Sequence, residues 1–130
     1  VAIEVDRSAQ GNVVQRTAVA VLAAISVCHM LNDVIQSLIV AIYPMLKTSL
    51  ALNFAEIGLI TFTFQATASV LQPLVGYVTD RYPTPYSLVV GMGSSLLGLI
   101  LIAFASTYAA VLVAAALIGM GSSVFHPESS

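Results

Sequence analysis

Four residues inside one oily run carry groups that could move a proton or hold a polar ligand. They are His29, Asn32, Asp33 and Gln36, in the stretch SVCHMLNDVIQSLIV. An imidazole and a carboxylate four residues apart lie on adjacent turns of one helix face and can hydrogen-bond each other. The run matters as much as the residues. Thr17 to Leu46 holds 30 residues with Asp33 as the only formally charged group, so a helix here spans a bilayer and carries Asp33 near its middle. An aspartate at that depth costs about 2.5 to 3.5 kcal/mol, whereas an interhelical hydrogen bond returns on average roughly 0.6 kcal/mol. Two readings stay open for the pair. One is a satisfied polar contact; the other is a protonation site, since ionisable residues at membrane depth mark ion, proton or substrate paths. Metal binding by His29, Asp33 and His126 is the weaker idea, because two ligands on one helix plus a distant third match no established spacing.

The elements that must position these groups follow from the uncharged intervals. After Thr17–Leu46 come Ile57 to Thr79, 23 residues without a charge, and Tyr82 to Pro127, 46 residues without Asp, Glu, Lys or Arg. A crossing takes about 20 residues, so the third interval holds two helices, divided at AFASTYAA. The expected spans are about 17–46, 57–79, 86–105 and 108–126, behind a mobile cytoplasmic tail over 1–16. The fold class is therefore all-α integral membrane, with four transmembrane helices. Arg7, Arg16 and Arg81 fall on one side against Lys47 on the other, which places the N-terminus in the cytoplasm.

Periodicity gathers the polar residues into faces. His29, Asn32, Asp33, Gln36 and Tyr43 share a sector about 100° wide on the first helix. On the second, Gly58, Thr61, Gln65, Ser69, Gln72 and Gly76 make one stripe. Gln65 and Gln72 could serve as interhelical glue or as cavity-lining groups. Gly91, Ser95 and Gly98 on the third helix, and Ala115, Gly119, Ser122 and His126 on the fourth, form small-residue lines that let helix backbones approach closely.

Composition excludes much else. With 58% hydrophobic and 8% charged residues and a mean hydropathy of +0.98, the chain lies far from soluble composition, where about a quarter of residues are charged. A net charge of −2 without a basic tract offers no footprint for nucleic acid. Cys28 is single and has no disulfide partner or metal-site spacing. No nucleophile, base and orienting group stand together at a plausible spacing, so no enzyme is expected, and no cofactor. The first residue is Val1 rather than methionine and the last residues read HPESS; a piece of a longer protein is expected.

The loop GYVTDRYPTPYSL resembles the signature that major facilitator superfamily transporters carry between their second and third helices. Gly76, Asp80 and Arg81 match it, while Pro83, Thr84 and Pro85 stand where the family has further basic residues. Longer strings, HMLNDVIQSLIVAIYP, FQATASVLQPLVGYVTDRYP and GMGSSVFHPESS, are similar to the fosmidomycin resistance group of that superfamily. The resemblance implies that the four helices belong to a six-helix half of a twelve-helix facilitator fold, completed by helices beyond Ser130. It further implies proton-coupled drug efflux across the bacterial inner membrane, with protons and a small-molecule drug as partners, and Gly76, Asp80 and Arg81 as a gating loop. His29, Asn32, Asp33, Gln36, Gln65, Gln72 and His126 become the candidate proton- and substrate-binding residues. Fosmidomycin is an anionic phosphonate and no Lys or Arg lies within the four spans, so positive charge would come from His29 and His126 or from the remaining helices. The alternatives are a complete small four-helix exporter acting as a dimer and a membrane scaffold without transport.

Overall fold

A computed structural model describes the backbone of residues 2–82 and 86–128 and the side chains of residues 13–82 and 86–125. The elements in chain order are α1 (Ala2–Ala41), α2 (Tyr43–Ser49), α3 (Phe54–Thr79), α4 (Ser87–Ala103) and α5 (Tyr108–Glu128). Three helices are long and apolar enough to cross a membrane, at Val13–Ala41, Phe54–Thr79 and Tyr108–Phe125, and α4 is a shorter apolar helix of 17 residues. That length suffices for a crossing at the lower end of the usual range.

The boundaries move from those expected for physical reasons. Hydropathy registers only the part of a helix suited to hydrocarbon, but backbone hydrogen bonding continues past it, so α1 already begins at Ala2. At its other end Pro44 has no N–H to give the Val40 carbonyl. The chain bends at Ile42 and a separate short helix, α2, follows with Pro44 in its first turn. Helix α2 closes through a Schellman arrangement, the Leu52 N–H donating to the Lys47 carbonyl at 2.9 Å across Ala51, which sits at φ 53°. Helix α3 starts three residues before Ile57 because Asn53 and Glu56 form a capping box. Asn53 Oδ1 accepts from the Glu56 N–H at 2.9 Å, and Glu56 Oε2 accepts from the Asn53 N–H at 2.8 Å.

Helix α5 is the centre of the packing, with α3 along one side and α4 along another, while α1 lies against α4 and α5. Glycines set these distances. A Cβ at Gly119 would overlap Thr67 Oγ1 and lie 2.5 Å from the Phe64 carbonyl oxygen, and one at Gly121 would overlap Ser95 Oγ and lie 2.5 Å from the Gly91 carbonyl oxygen. The contacts also fix direction. Tyr108 at the start of α5 donates its hydroxyl to the Glu56 carbonyl at 3.0 Å, and further along Gly119 meets Phe64, so α3 and α5 run parallel. Gly98 meets Ala114 and Ile118 while Gly91 meets Gly121 and Val124, so α4 runs antiparallel to α5. The core comprises Ile39, Leu46, Leu52, Ile60, Phe64, Ile102, Val111, Ala114, Ala115 and Ile118.

Candidate functional site

The polar sector of α1 is sorted by angle. Asn32, at the edge nearest the α1 packing seam, is wholly buried. Gln36, Tyr43 and His29 come next around the helix and are partly buried, and Asp33, at the far edge, is exposed. Residues 32 and 33 differ by about 100° of helix rotation, and that angle separates the sealed amide from the open carboxylate. His29 Nε2 and Asp33 Oδ2 lie 3.7 Å apart, with side-chain exposures of 38% and 57%. The i,i+4 pair is thus formed, on the side of α1 away from the other helices. Asp33 shares a shallow groove there with Met30, Val34, Ser37, Leu38 and Ala41.

Helix α3 divides in the same way. Ile60, Phe64 and Ala68 are buried, and the polar stripe is turned from them, with Gln65 and Ser69 exposed and Gln72 partly buried. Pro73 has no N–H for the Ser69 carbonyl, which leaves a main-chain acceptor on the stripe itself. Among the described residues, neither glutamine makes a hydrogen bond to the His29–Asp33 pair. The stripe of α3 is tied to the start of α2, just past the end of α1, where the Tyr43 and Thr61 hydroxyls lie 2.8 Å apart.

At the opposite end α3 stops at Thr79. The Gly76 carbonyl accepts from the Asp80 N–H at 2.9 Å and from Thr79 Oγ1 at 3.2 Å. Asp80 and Arg81 are exposed. The Arg81 guanidinium donates to the Tyr77 hydroxyl and lies 4.1 Å from the centroid of that ring, so this cation is held by an aromatic residue in the last turn of α3. Pro83, Thr84, Pro85 and the side chains of Arg7 and His126 lie outside the described residues. Among the described residues no group of three His, Cys, Asp or Glu could hold a metal ion.

Several positioning contacts had no forecast. The Asn53-x-x-Glu56 spacing is a readable capping signal. The hydrogen bond from Ser94 Oγ to the Leu117 carbonyl at 2.7 Å, and that of Tyr108 to Glu56, depend on which helices become neighbours, which no local pattern encodes.

A bundle of apolar helices with an ionisable pair on one face and small residues at the crossings defines a multi-pass membrane protein. The family model of the Major Facilitator Superfamily matches residues 25–130, and the chain belongs to that family. It is 60% identical over 115 residues to the fosmidomycin resistance protein of Escherichia coli (strain K12), covering 88% of this chain and 28% of that protein. It is 45% identical over 114 residues to an uncharacterized MFS-type transporter of Bacillus subtilis (strain 168), with the same coverages. The chain thus spans little more than a quarter of the length of these relatives. No solved structure matches it significantly.

Proposed function

We propose that this chain is part of a secondary active transporter of the bacterial inner membrane that exports a small anionic drug of the fosmidomycin type in exchange for protons. The observation that carries the reading is the His29–Asp33 pair at 3.7 Å, at the depth of a spanning helix and open on the side away from α4 and α5. A carboxylate that can be neutral or charged, beside an imidazole that can be cationic or neutral, can take up a proton from one side of a membrane and release it to the other. When it carries the proton, His29 also brings positive charge to a region without Lys or Arg, which suits an anionic cargo. Gln36, Gln65 and Gln72 line the cavity with uncharged hydrogen-bonding groups. Gly76, Asp80 and Arg81 form the gating loop on the cytoplasmic side, the side of the N-terminus. The family membership supports this reading over a small dimeric exporter or a scaffold.

The test uses the full-length protein reconstituted in vesicles with an imposed pH gradient. Asp33→Asn keeps the shape and removes the titrating group, and should abolish gradient-driven fosmidomycin efflux at equal protein level and unchanged folding. Undiminished uphill efflux in the variant would return Asp33 to a merely structural pair with His29.

A further inference from the structure

Asn32 is wholly buried, and neither its Oδ1 nor its Nδ2 reaches a hydrogen-bond partner among the described residues. A buried amide in this condition is costly, because it has given up water and gained nothing in return. Its burial is also complete within these helices alone. Further helices added outside the unit can only cover more surface, so they cannot reach an atom that is already sealed. With no protein partner among the described residues in this arrangement, the amide gains hydrogen bonds when the helices around it move apart and admit water.

The geometry shows which contact can part. Helix α5 is locked to α3 at Gly119 and to α4 at Gly98 and Gly121, with backbone atoms so near that a Cβ would collide. Helix α1 lies against α4 and α5 along a thin seam of branched aliphatic side chains that pack on the core, Ile35 and Ile39, with Ile42 just past its end and Asn32 one turn before them. Only 6% of the α1 span is buried, against 50% of α5. Interlocked glycine crossings resist sliding, whereas a single row of apolar side chains can separate and close again.

We infer that Asn32 is a hydrogen-bonding group for a second arrangement of α1, in which the seam against α4 and α5 opens and the amide meets the aqueous substrate pathway. This rests on the transport reading and adds to it a movement inside the helical unit, on the opposite edge of the polar sector from Asp33. The unsatisfied amide raises the energy of the sealed arrangement and so keeps the open one within reach.

Two measurements on the full-length protein test it. In a Cys28→Ala background, Asn32→Cys should react with a small cationic methanethiosulfonate reagent, and added fosmidomycin should change the rate. Ile118→Cys, equally buried but at the α4–α5 crossing beside Gly98, should stay protected. Equal protection of both positions overturns the inference. Asn32→Leu removes the unsatisfied group while keeping the heavy-atom count and the branch at Cγ, so it should lengthen the thermal half-life of the detergent-solubilised protein and slow fosmidomycin turnover. Removing the desolvation cost of a buried unsatisfied amide shifts the two-state balance by about 5- to 150-fold. A longer half-life with unchanged turnover, or a variant that fails to fold, overturns it. Ser95→Ala is the control. Ser95 Oγ is also buried without a partner, but it packs at the α4–α5 crossing that does not open, so turnover should be unaffected. Equal slowing by Ser95→Ala would mean that general stiffening, not the α1 seam, is being read. If the wild type moves no fosmidomycin at all, the transport reading fails, while the labelling contrast between positions 32 and 118 still decides whether the seam opens.

Discussion

Gly119→Ala adds one methyl group where α5 crosses α3. The new Cβ would overlap Thr67 Oγ1 and lie 2.5 Å from the Phe64 carbonyl oxygen and 3.2 Å from the Ala68 nitrogen. Ordinary contact distances for carbon are roughly 3.5 to 4 Å, so the α3 backbone at Phe64 must recede by about 1 Å. Thr67 cannot yield freely, since its hydroxyl already donates to the Thr63 and Phe64 carbonyls at 2.8 and 2.9 Å. Overpacking of this kind costs about 1 to 3 kcal/mol, against which alanine recovers roughly 0.8 to 1.0 kcal/mol of helix propensity over glycine. The same substitution at Gly58 meets nothing within 4 Å and should show the propensity gain alone. The two variants are therefore expected to move in opposite directions.

The assay is the thermal half-life of the full-length, detergent-solubilised protein, with Gly119→Ala shorter-lived than wild type and Gly58→Ala equal or longer-lived. A Thr67→Ala, Gly119→Ala double variant should recover only part of the loss, because the Phe64 carbonyl remains in the way. If Gly119→Ala is as durable as Gly58→Ala, the α3–α5 crossing is not held at the distance described, and the view of α5 as a locked centre falls with it.

Asn53→Ala removes the capping box of α3 and should lower stability by about 0.5 to 2 kcal/mol, read by the same half-life; no change would mean that the cap is replaced by solvent. Ala51→Gly relieves a left-handed backbone conformation that costs an L-residue roughly 1 to 2 kcal/mol, partly offset by the greater freedom of glycine when unfolded, and should modestly lengthen the half-life; a shortened half-life would refute it. Under the proposed topology, which puts the Arg81 end in the cytoplasm, a cysteine at the exposed Tyr82 should resist an impermeant thiol reagent applied to intact cells and react after permeabilisation. Reaction from outside would reverse the topology.

The sequence made the helical architecture legible because charge-free length is nearly sufficient to count crossings, and the small-residue lines identified which faces of α4 and α5 are buried. Gly91, Ser95 and Gly98, and Ala115, Gly119 and Ser122, are all buried. Less legible was the division of polar stripes into sealed and open edges. His29, Asn32, Asp33 and Gln36 lie within one sector, and helical periodicity cannot say where in that sector the neighbouring helix will sit. The charged member drew attention as the residue whose burial needed explaining; in the structure Asp33 is open and the neutral Asn32 is sealed. Partner choice among helices is a tertiary property, and a sector about 100° wide is broad enough to have one edge in a seam and the other outside it.

That division also bears on what must cover the rest of α1. Around the helix from the seam of Ile35 and Ile39 come first Asn32, Gln36, His29 and Asp33, and beyond them an apolar arc of Met30, Val34, Val27, Leu38 and Leu31, all of it exposed. The apolar arc is compatible with lipid. The arc between is not, because a carboxylate at mid-membrane is too costly against hydrocarbon. The exposed Gln65 and Ser69 of α3 carry the same requirement, and the Tyr43–Thr61 hydrogen bond joins their stripe to the start of α2, just past the end of α1. Both stripes must therefore face either further protein or a water-filled space, and neither can be turned to lipid without turning an apolar face away from it. Under the proposed transport reading, the polar arcs of α1 and α3 mark the side on which a cavity is enclosed, with the His29–Asp33 pair at its wall.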